Sequence, residues 1–223
     1  MATGTRELTF FLAQPEKRLL RAVAARLPRW ITSDHLTLLG VLGSVAVGAG
    51  YALSGYNIHW LWLASAALVV NWFGDSLDGT LARVRQVERP RYGYYLDHLV
   101  DAFSTAVIGV GIGLSPFVRI EVALLLVVAY LALSINVYLE SAVFGVFKLS
   151  YGRIGPTEAR LILIALNLLL LLTSAIGRSA LAEVAVLSNT VSLLLALAMG
   201  GMLLARFITN LGRLARLEPL ERP

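Results

Sequence analysis

The residues best equipped for chemistry are Asp75-x2-Asp78-Gly79-x2-Ala82-Arg83 and, after a spacer of nine residues, Gly93-x3-Asp97-x3-Asp101. Four of the chain's five aspartates fall within these 27 residues, all beside strongly apolar segments. A carboxylate at membrane depth is costly unless it is paired, bound to a metal or facing water, so such residues are functional candidates by default. Read as a helix, Asp75, Asp78, Gly79, Ala82 and Arg83 fall at i, i+3, i+4, i+7 and i+8, which is one stripe. Gly93, Asp97 and Asp101 fall at i, i+4 and i+8 on the next helix. Two such stripes facing each other make a multi-carboxylate pocket for hard cations. His98, directly after Asp97, points about 100° away from the acidic stripe and reads as a neighbour of the site.

Those stripes need helices to carry them. The chain of 223 residues is 57% hydrophobic and 15% charged, with a mean hydropathy of +0.74. That balance excludes an ordinary soluble domain and predicts an all-α polytopic membrane protein. Apolar runs predict six spans, near 35–56, 59–83, 93–115, 119–146, 157–177 and 181–207. Before them, residues 15–31 read as an interfacial helix. Leu19, Leu20, Val23, Leu27 and Ile31 form its apolar stripe, and Lys17, Arg18, Arg21 and Arg26 its basic face. Thr32-Ser33-Asp34 offers N-cap chemistry for the first span, with Asp34 expected as the cap. Residues 208–223 read as a tail in which Arg213 and Arg216 anchor at the membrane surface. The expected organisation is one domain over 1–223, with a six-helix bundle over 35–207. Residues 1–33 lack the long apolar core of a cleavable signal peptide. The absence of cysteine excludes disulfides, thiolate metal sites and cysteine lipidation.

The motif resembles the signature of the CDP-alcohol phosphotransferase family, D-x2-D-G-x2-A-R-xn-G-x3-D-x3-D, with every fixed position present. It covers about an eighth of the chain. The resemblance implies transfer of a substituted phosphoryl group from a CDP-linked donor to an alcohol, with release of CMP. It also implies two divalent ions, Mg²⁺ or Mn²⁺, on Asp75, Asp78, Asp97 and Asp101, which suits a pyrophosphate donor whose charge must be neutralised. Asp101 matches the position proposed as general base. Asp78, Gly79, Ala82, Arg83 and Gly93 would bind the nucleotide, Gly79 by close backbone approach and Arg83 through the diphosphate. Gly93 and Ala82 have a plainer reading as small residues at a helix contact. A homodimer follows from the resemblance alone.

Donor and acceptor stay open at this level. Asp97-His98 and Gly155-Pro156-Thr157-Glu158 are similar to elements of the branch that uses CDP-choline or CDP-ethanolamine with diacylglycerol. Glu140, Glu158 and the nearby Tyr94, Tyr95 and Tyr138 would suit an ammonium headgroup. The expectation leans that way. The alternative is a CDP-diacylglycerol donor with a polar acceptor such as glycerol phosphate, inositol phosphate or serine. Lys148, Arg153 and Arg160 are then candidate phosphate ligands, and Arg160 is the one lying about a turn inside a span.

Charge placement predicts orientation. Of 19 Lys and Arg residues, only Arg119 and Arg178 fall in loops assigned to the outside, so both termini are expected in the cytoplasm. Arg83, Arg85, Arg89 and Arg91 crowd the turn between the second and third spans, where they would attract an anionic substrate. The net charge of +5 is accounted for by anionic lipid headgroups and calls for no nucleic acid. The Ala-, Leu- and Arg-rich character suggests a prokaryotic plasma membrane. A cation-coupled transporter is the competing class, disfavoured because the acids cluster at one end and no repeated halves appear. A catalytically dead partner subunit is disfavoured by the intact signature.

Overall fold

The structure, a computed structural model, describes residues 13–144 and 155–219. Among them the protein is entirely helical: α1 (Ala13–Arg26), α2 (Ser33–Leu53), α3 (Trp60–Val84), α4 (Pro90–Gly113), α5 (Ile120–Phe144), α6 (Pro156–Ile176) and α7 (Arg178–Leu217). The last six correspond to the six expected spans. Five of them are long and apolar enough to cross a membrane, and the protein is an integral membrane protein. The exception is α3, 25 residues long, whose Asn71, Asp75, Asp78 and Arg83 dilute its apolar character. Lys148 and Arg153 lie outside the described residues.

The bundle is built around α2 and α3. α2 packs along α3 and α4, α5 along α4 and α7, and α6 against α3 and α7. Small residues set the closeness of the first pair. A Cβ on Gly74 would meet the Leu36 carbonyl oxygen at 2.5 Å and collide with the Gly40 backbone, and one on Gly43 would lie 2.7 Å from the Asn71 nitrogen. In lipid, where tails are as apolar as leucine, such backbone-to-backbone packing is what holds helices together. Val47, Leu61, Ala64 and Leu68 are fully enclosed here. A buried chain, Tyr51 hydroxyl to Asn167 Oδ1 at 2.8 Å and Asn167 Nδ2 to Ser65 Oγ at 3.1 Å, ties α2, α6 and α3 together.

α1 lies against α3, with Leu20 and Ala24 buried against Leu36, Leu77 and Leu81. Lys17, Arg18, Arg21 and Arg26 face outward, as the amphipathic pattern requires. Its helix stops at Arg26 rather than at 31, because Pro28 lacks the N–H to continue it. The cap of α2 is Thr32, not Asp34. Thr32 Oγ1 accepts the His35 N–H at 3.3 Å, and His35 Nδ1 accepts the Thr32 N–H at 3.2 Å. Asp34 is left to pair with Arg89 at 2.6 Å.

The expected tail is not separate. α7 runs unbroken for 40 residues, about 60 Å at the helical rise against roughly 30 Å of hydrocarbon. Arg213 lies over the Phe144 ring at 4.4 Å, which docks this extension on the end of α5. Between α6 and α7 the chain turns at Gly177, whose φ of 143° suits only glycine.

Candidate active site

Each acidic stripe is delivered by a helix whose end is specified locally. α4 begins with Pro90 at its first position, where the missing N–H costs nothing. α3 ends in a Schellman turn: the Gln86 N–H reaches the Arg83 carbonyl at 3.2 Å and the Val87 N–H the Ala82 carbonyl at 3.0 Å. Gln86 takes the left-handed position usually held by glycine, at φ 56°. The turn places Arg85 against the α1–α2 connection. There its guanidinium donates to the carbonyls of Ile31 at 2.5 Å, Pro28 at 2.9 Å and Leu27 at 3.1 Å. Arg89 forks onto Asp34 at 2.6 and 2.8 Å, and this partner raises its pKa further. Two of the four arginines expected to attract substrate are thus engaged by the chain itself, Arg85 by the α1–α2 connection and Arg89 by the first turn of α2.

Asp75, Asp97 and Asp101 converge. One carboxylate oxygen from each lies within 4.8 Å of the others. They line a cavity with Asp78, Thr37, Gly40, Asn71, Val100, Ser104 and Arg160. A cluster of anionic oxygen donors fits a hard divalent cation such as Mg²⁺ or Mn²⁺ and offers nothing to a soft one. Asp78 reaches the same cavity but is turned towards α2. Its Oδ2 accepts the Thr37 hydroxyl at 2.6 Å, its Oδ1 the Gly79 N–H at 2.5 Å, and its carbonyl the Ser33 hydroxyl at 2.9 Å.

The arginine facing these acids is Arg160 of α6, not Arg83. Arg160 Nη2 lies 2.7 Å from Asp75 Oδ2 and Nε 2.9 Å from Asn71 Oδ1. Nη1 is buried with no hydrogen-bond partner. Asn71 is itself held, donating to the Gly40 carbonyl at 2.9 Å. Arg83 is exposed at the helix end, with Nη2 3.3 Å from the Thr80 hydroxyl. Four carboxylates against one guanidinium leave the cavity strongly negative.

The small residues of the motif separate into two groups. A Cβ on Gly93 would meet nothing within 4 Å, and one on Gly79 only the Arg83 guanidinium at 3.7 Å. Helix packing therefore explains neither glycine. Ala82 is half-buried on the same helix.

The headgroup candidates lie elsewhere. Glu140 does not line the acidic cavity; Arg206 of α7 forks onto its carboxylate, with Nε at 2.9 Å, and Asn136 and Asn210 each donate at 2.6 Å. Glu158 caps its own helix, accepting the Gly155 N–H at 2.9 Å. The Thr157 hydroxyl donates to Glu16 at 2.8 Å. His98 lies between the rings of Tyr94 and Tyr138, tilted against both, with centroids 4.1 and 4.6 Å away. Tyr95 is exposed.

Thr37, Asn71 and Ser104 were missed by sequence reasoning. Asn71 had a usable signal, since it precedes Asp75 by four residues and extends the same helical stripe. Thr37 had none, because its position opposite Asp78 depends on how α2 crosses α3.

Residues 30–200 match the family profile described as CDP-alcohol phosphatidyltransferase. Among curated proteins the chain is similar to the archaetidylinositol phosphate synthase of Methanothermobacter thermautotrophicus, 34% identical over 109 residues, which is 49% of this chain and 52% of that protein. It is 33% identical over 112 residues to the protein of the same name from Pyrococcus horikoshii, covering 50% of this chain and 55% of that one. It is 33% identical over 84 residues to the phosphatidylinositol phosphate synthase of Cutibacterium acnes, covering 38% of each. The matched stretch thus spans about half the length of the archaeal relatives and less of the bacterial one. A profile that takes in most of the helical bundle and both acidic stripes leaves no room for the transporter reading, and the chain belongs to the CDP-alcohol phosphatidyltransferase family.

Proposed function

We propose that this protein transfers the phosphatidyl-type group of a CDP-linked lipid to a hydroxyl of a phosphorylated polyol of the inositol phosphate class, releasing CMP. The observation that carries the reading is Arg160, a guanidinium inside an acidic cavity with one buried nitrogen unpartnered. A phosphate on the acceptor supplies the anion that this nitrogen lacks. The names of the three relatives, two archaetidylinositol phosphate synthases and one phosphatidylinositol phosphate synthase, support the same acceptor class. The amino-alcohol donor expected from the sequence loses its support. Glu140 and Glu158 are engaged by Arg206 and by the helix start, and Thr157 by Glu16.

Asp75, Asp78, Asp97 and Asp101 would hold a pair of divalent ions, Mg²⁺ or Mn²⁺. When bound, such ions neutralise the diphosphate and stabilise charge on the oxygens that change partners. Asp101 is assigned as the base that takes the proton from the acceptor hydroxyl. Thr37 and the Gly79 N–H orient Asp78, and open space beside Gly93 and Gly79 admits the nucleotide to the backbone. Arg83, exposed at the mouth, is placed for the diphosphate. The site and both termini are assigned to the cytoplasmic side of a prokaryotic plasma membrane, on the asymmetry of Lys and Arg. Apolar side chains along α4 and α5, including Phe103, Leu125 and Val128, stay exposed and are consistent with a homodimer.

The test is CMP release by purified protein with Mg²⁺ or Mn²⁺, with EDTA as the control. CDP-diacylglycerol and inositol phosphate should give turnover, and removal of the acceptor phosphate should abolish it. Turnover confined to CDP-ethanolamine or CDP-choline with diacylglycerol would overturn the assignment.

A further inference from the structure

We propose that Glu16 of the interfacial helix is a positioning residue for acceptor binding, holding α6 in register on α3 so that Arg160 stays aimed into the site. The inference rests on the acceptor role given to Arg160 above. Glu16 is the one acidic residue of α1, and its Oε1 accepts three side-chain hydrogen bonds from two other helices. Trp72 Nε1 donates at 2.6 Å and the Ser76 hydroxyl at 3.3 Å from α3, and the Thr157 hydroxyl at 2.8 Å from α6.

These donors are interleaved with the site. Trp72 and Ser76 each follow by one residue the two partners of Arg160, Asn71 and Asp75. Thr157 precedes Arg160 by three residues, one helical turn. The α3–α6 seam therefore has two fastenings one turn apart. One is Arg160 on Asn71 and Asp75, inside the cavity; the other is Glu16 on Trp72, Ser76 and Thr157, behind it. The first must loosen in use, because Asp75 cannot give the same oxygen fully to Arg160 and to a cation, and Arg160 must turn to the acceptor phosphate. The second has no reacting partner and stays closed. α1 is itself fixed at its far end by Arg85 on the carbonyls of Leu27, Pro28 and Ile31. Leu20 and Ala24 pack it on Leu77 and Leu81 between the two ends. Glu16 thus acts from a braced helix.

The experiment compares wild type, Glu16→Ala and Glu16→Gln as full chains, in kinetics and in distance. The chain has no cysteine, so spin labels can be placed at Val84→Cys and Leu161→Cys, both exposed positions. Glu16→Ala should raise the KM for inositol phosphate about tenfold, with the donor KM unchanged and kcat within about threefold. It should also broaden the α3–α6 distance distribution. Glu16→Gln keeps an acceptor oxygen and should restore both readouts. An unchanged distance distribution in Glu16→Ala overturns the proposal, as does a loss spread equally over donor and acceptor. If wild type does not turn over with inositol phosphate, the acceptor assignment fails, and the distance measurement alone then decides whether Glu16 positions α6.

Discussion

Replacing Arg160 by glutamine separates the acceptor role from the structural one. Arg160 faces Asp75 at 2.7 Å, with the two side chains 15% and 23% exposed. Its loss leaves four neighbouring carboxylates without a guanidinium. Breaking a fully buried pair costs about 3–5 kcal/mol, and this one should cost less because both partners keep some solvent. Saturating Mg²⁺ should return most of that stability, since a cation takes over the neutralisation. Turnover should not recover. A charge-assisted hydrogen bond to an acceptor phosphate is worth roughly 1.5–3 kcal/mol. At 1.36 kcal/mol per tenfold that is a fall of about 10- to 150-fold in kcat/KM for inositol phosphate. The donor KM should stay within a few fold. The assay is steady-state CMP release with each substrate varied in turn, beside thermal unfolding with and without Mg²⁺. Equal losses in donor and acceptor kcat/KM, or a stability defect that Mg²⁺ leaves untouched, would refute the reasoning.

Further outcomes follow from individual contacts. Asp97→Asn should cut turnover by more than about a hundredfold, a conservative floor set by what even outer-shell changes cost a metal site. It should weaken Mn²⁺ binding measured by calorimetry. Gly74→Ala, which puts a methyl into the Leu36 carbonyl and the Gly40 backbone, should destabilise by about 1–3 kcal/mol in detergent unfolding. Gln86→Gly relieves a left-handed residue at the end of α3 and should stabilise by roughly 1 kcal/mol, read as a raised unfolding midpoint with unchanged kinetics. Glu140→Ala leaves Arg206 without its forked partner at the α5–α7 contact. It should lower stability while leaving the KM for either substrate within about twofold; a selective rise in acceptor KM would return Glu140 to the site.

The acidic stripes were legible because helical periodicity is a local property. Asp75 and Asp78 on one helix, and Asp97 and Asp101 on the next, share faces by spacing alone. The spans and the basic face of α1 were legible for the same reason. The periodicity, composition and charge of a segment depend on its own residues, not on its neighbours. The family signature then set these four acids apart from the chain's other carboxylates.

Which side chains answer those acids was decided only by tertiary structure. Arg83 sits in register with the motif yet ends exposed, while Arg160, 77 positions later in the chain, supplies the guanidinium. Thr37 meets Asp78 only because glycines at 40, 43 and 74 let α2 approach α3 backbone to backbone. Glu140 and Glu158 looked like headgroup ligands from their places at the end of the fourth span and the start of the fifth, but Arg206 and a helix start claimed them. Nothing in the sequence marked Glu16, and packing made it a junction of three helices. Local spacing states which face a residue occupies. The angle and depth at which two helices cross decide what that face meets, and these are set by the shape of every small and large residue along the contact.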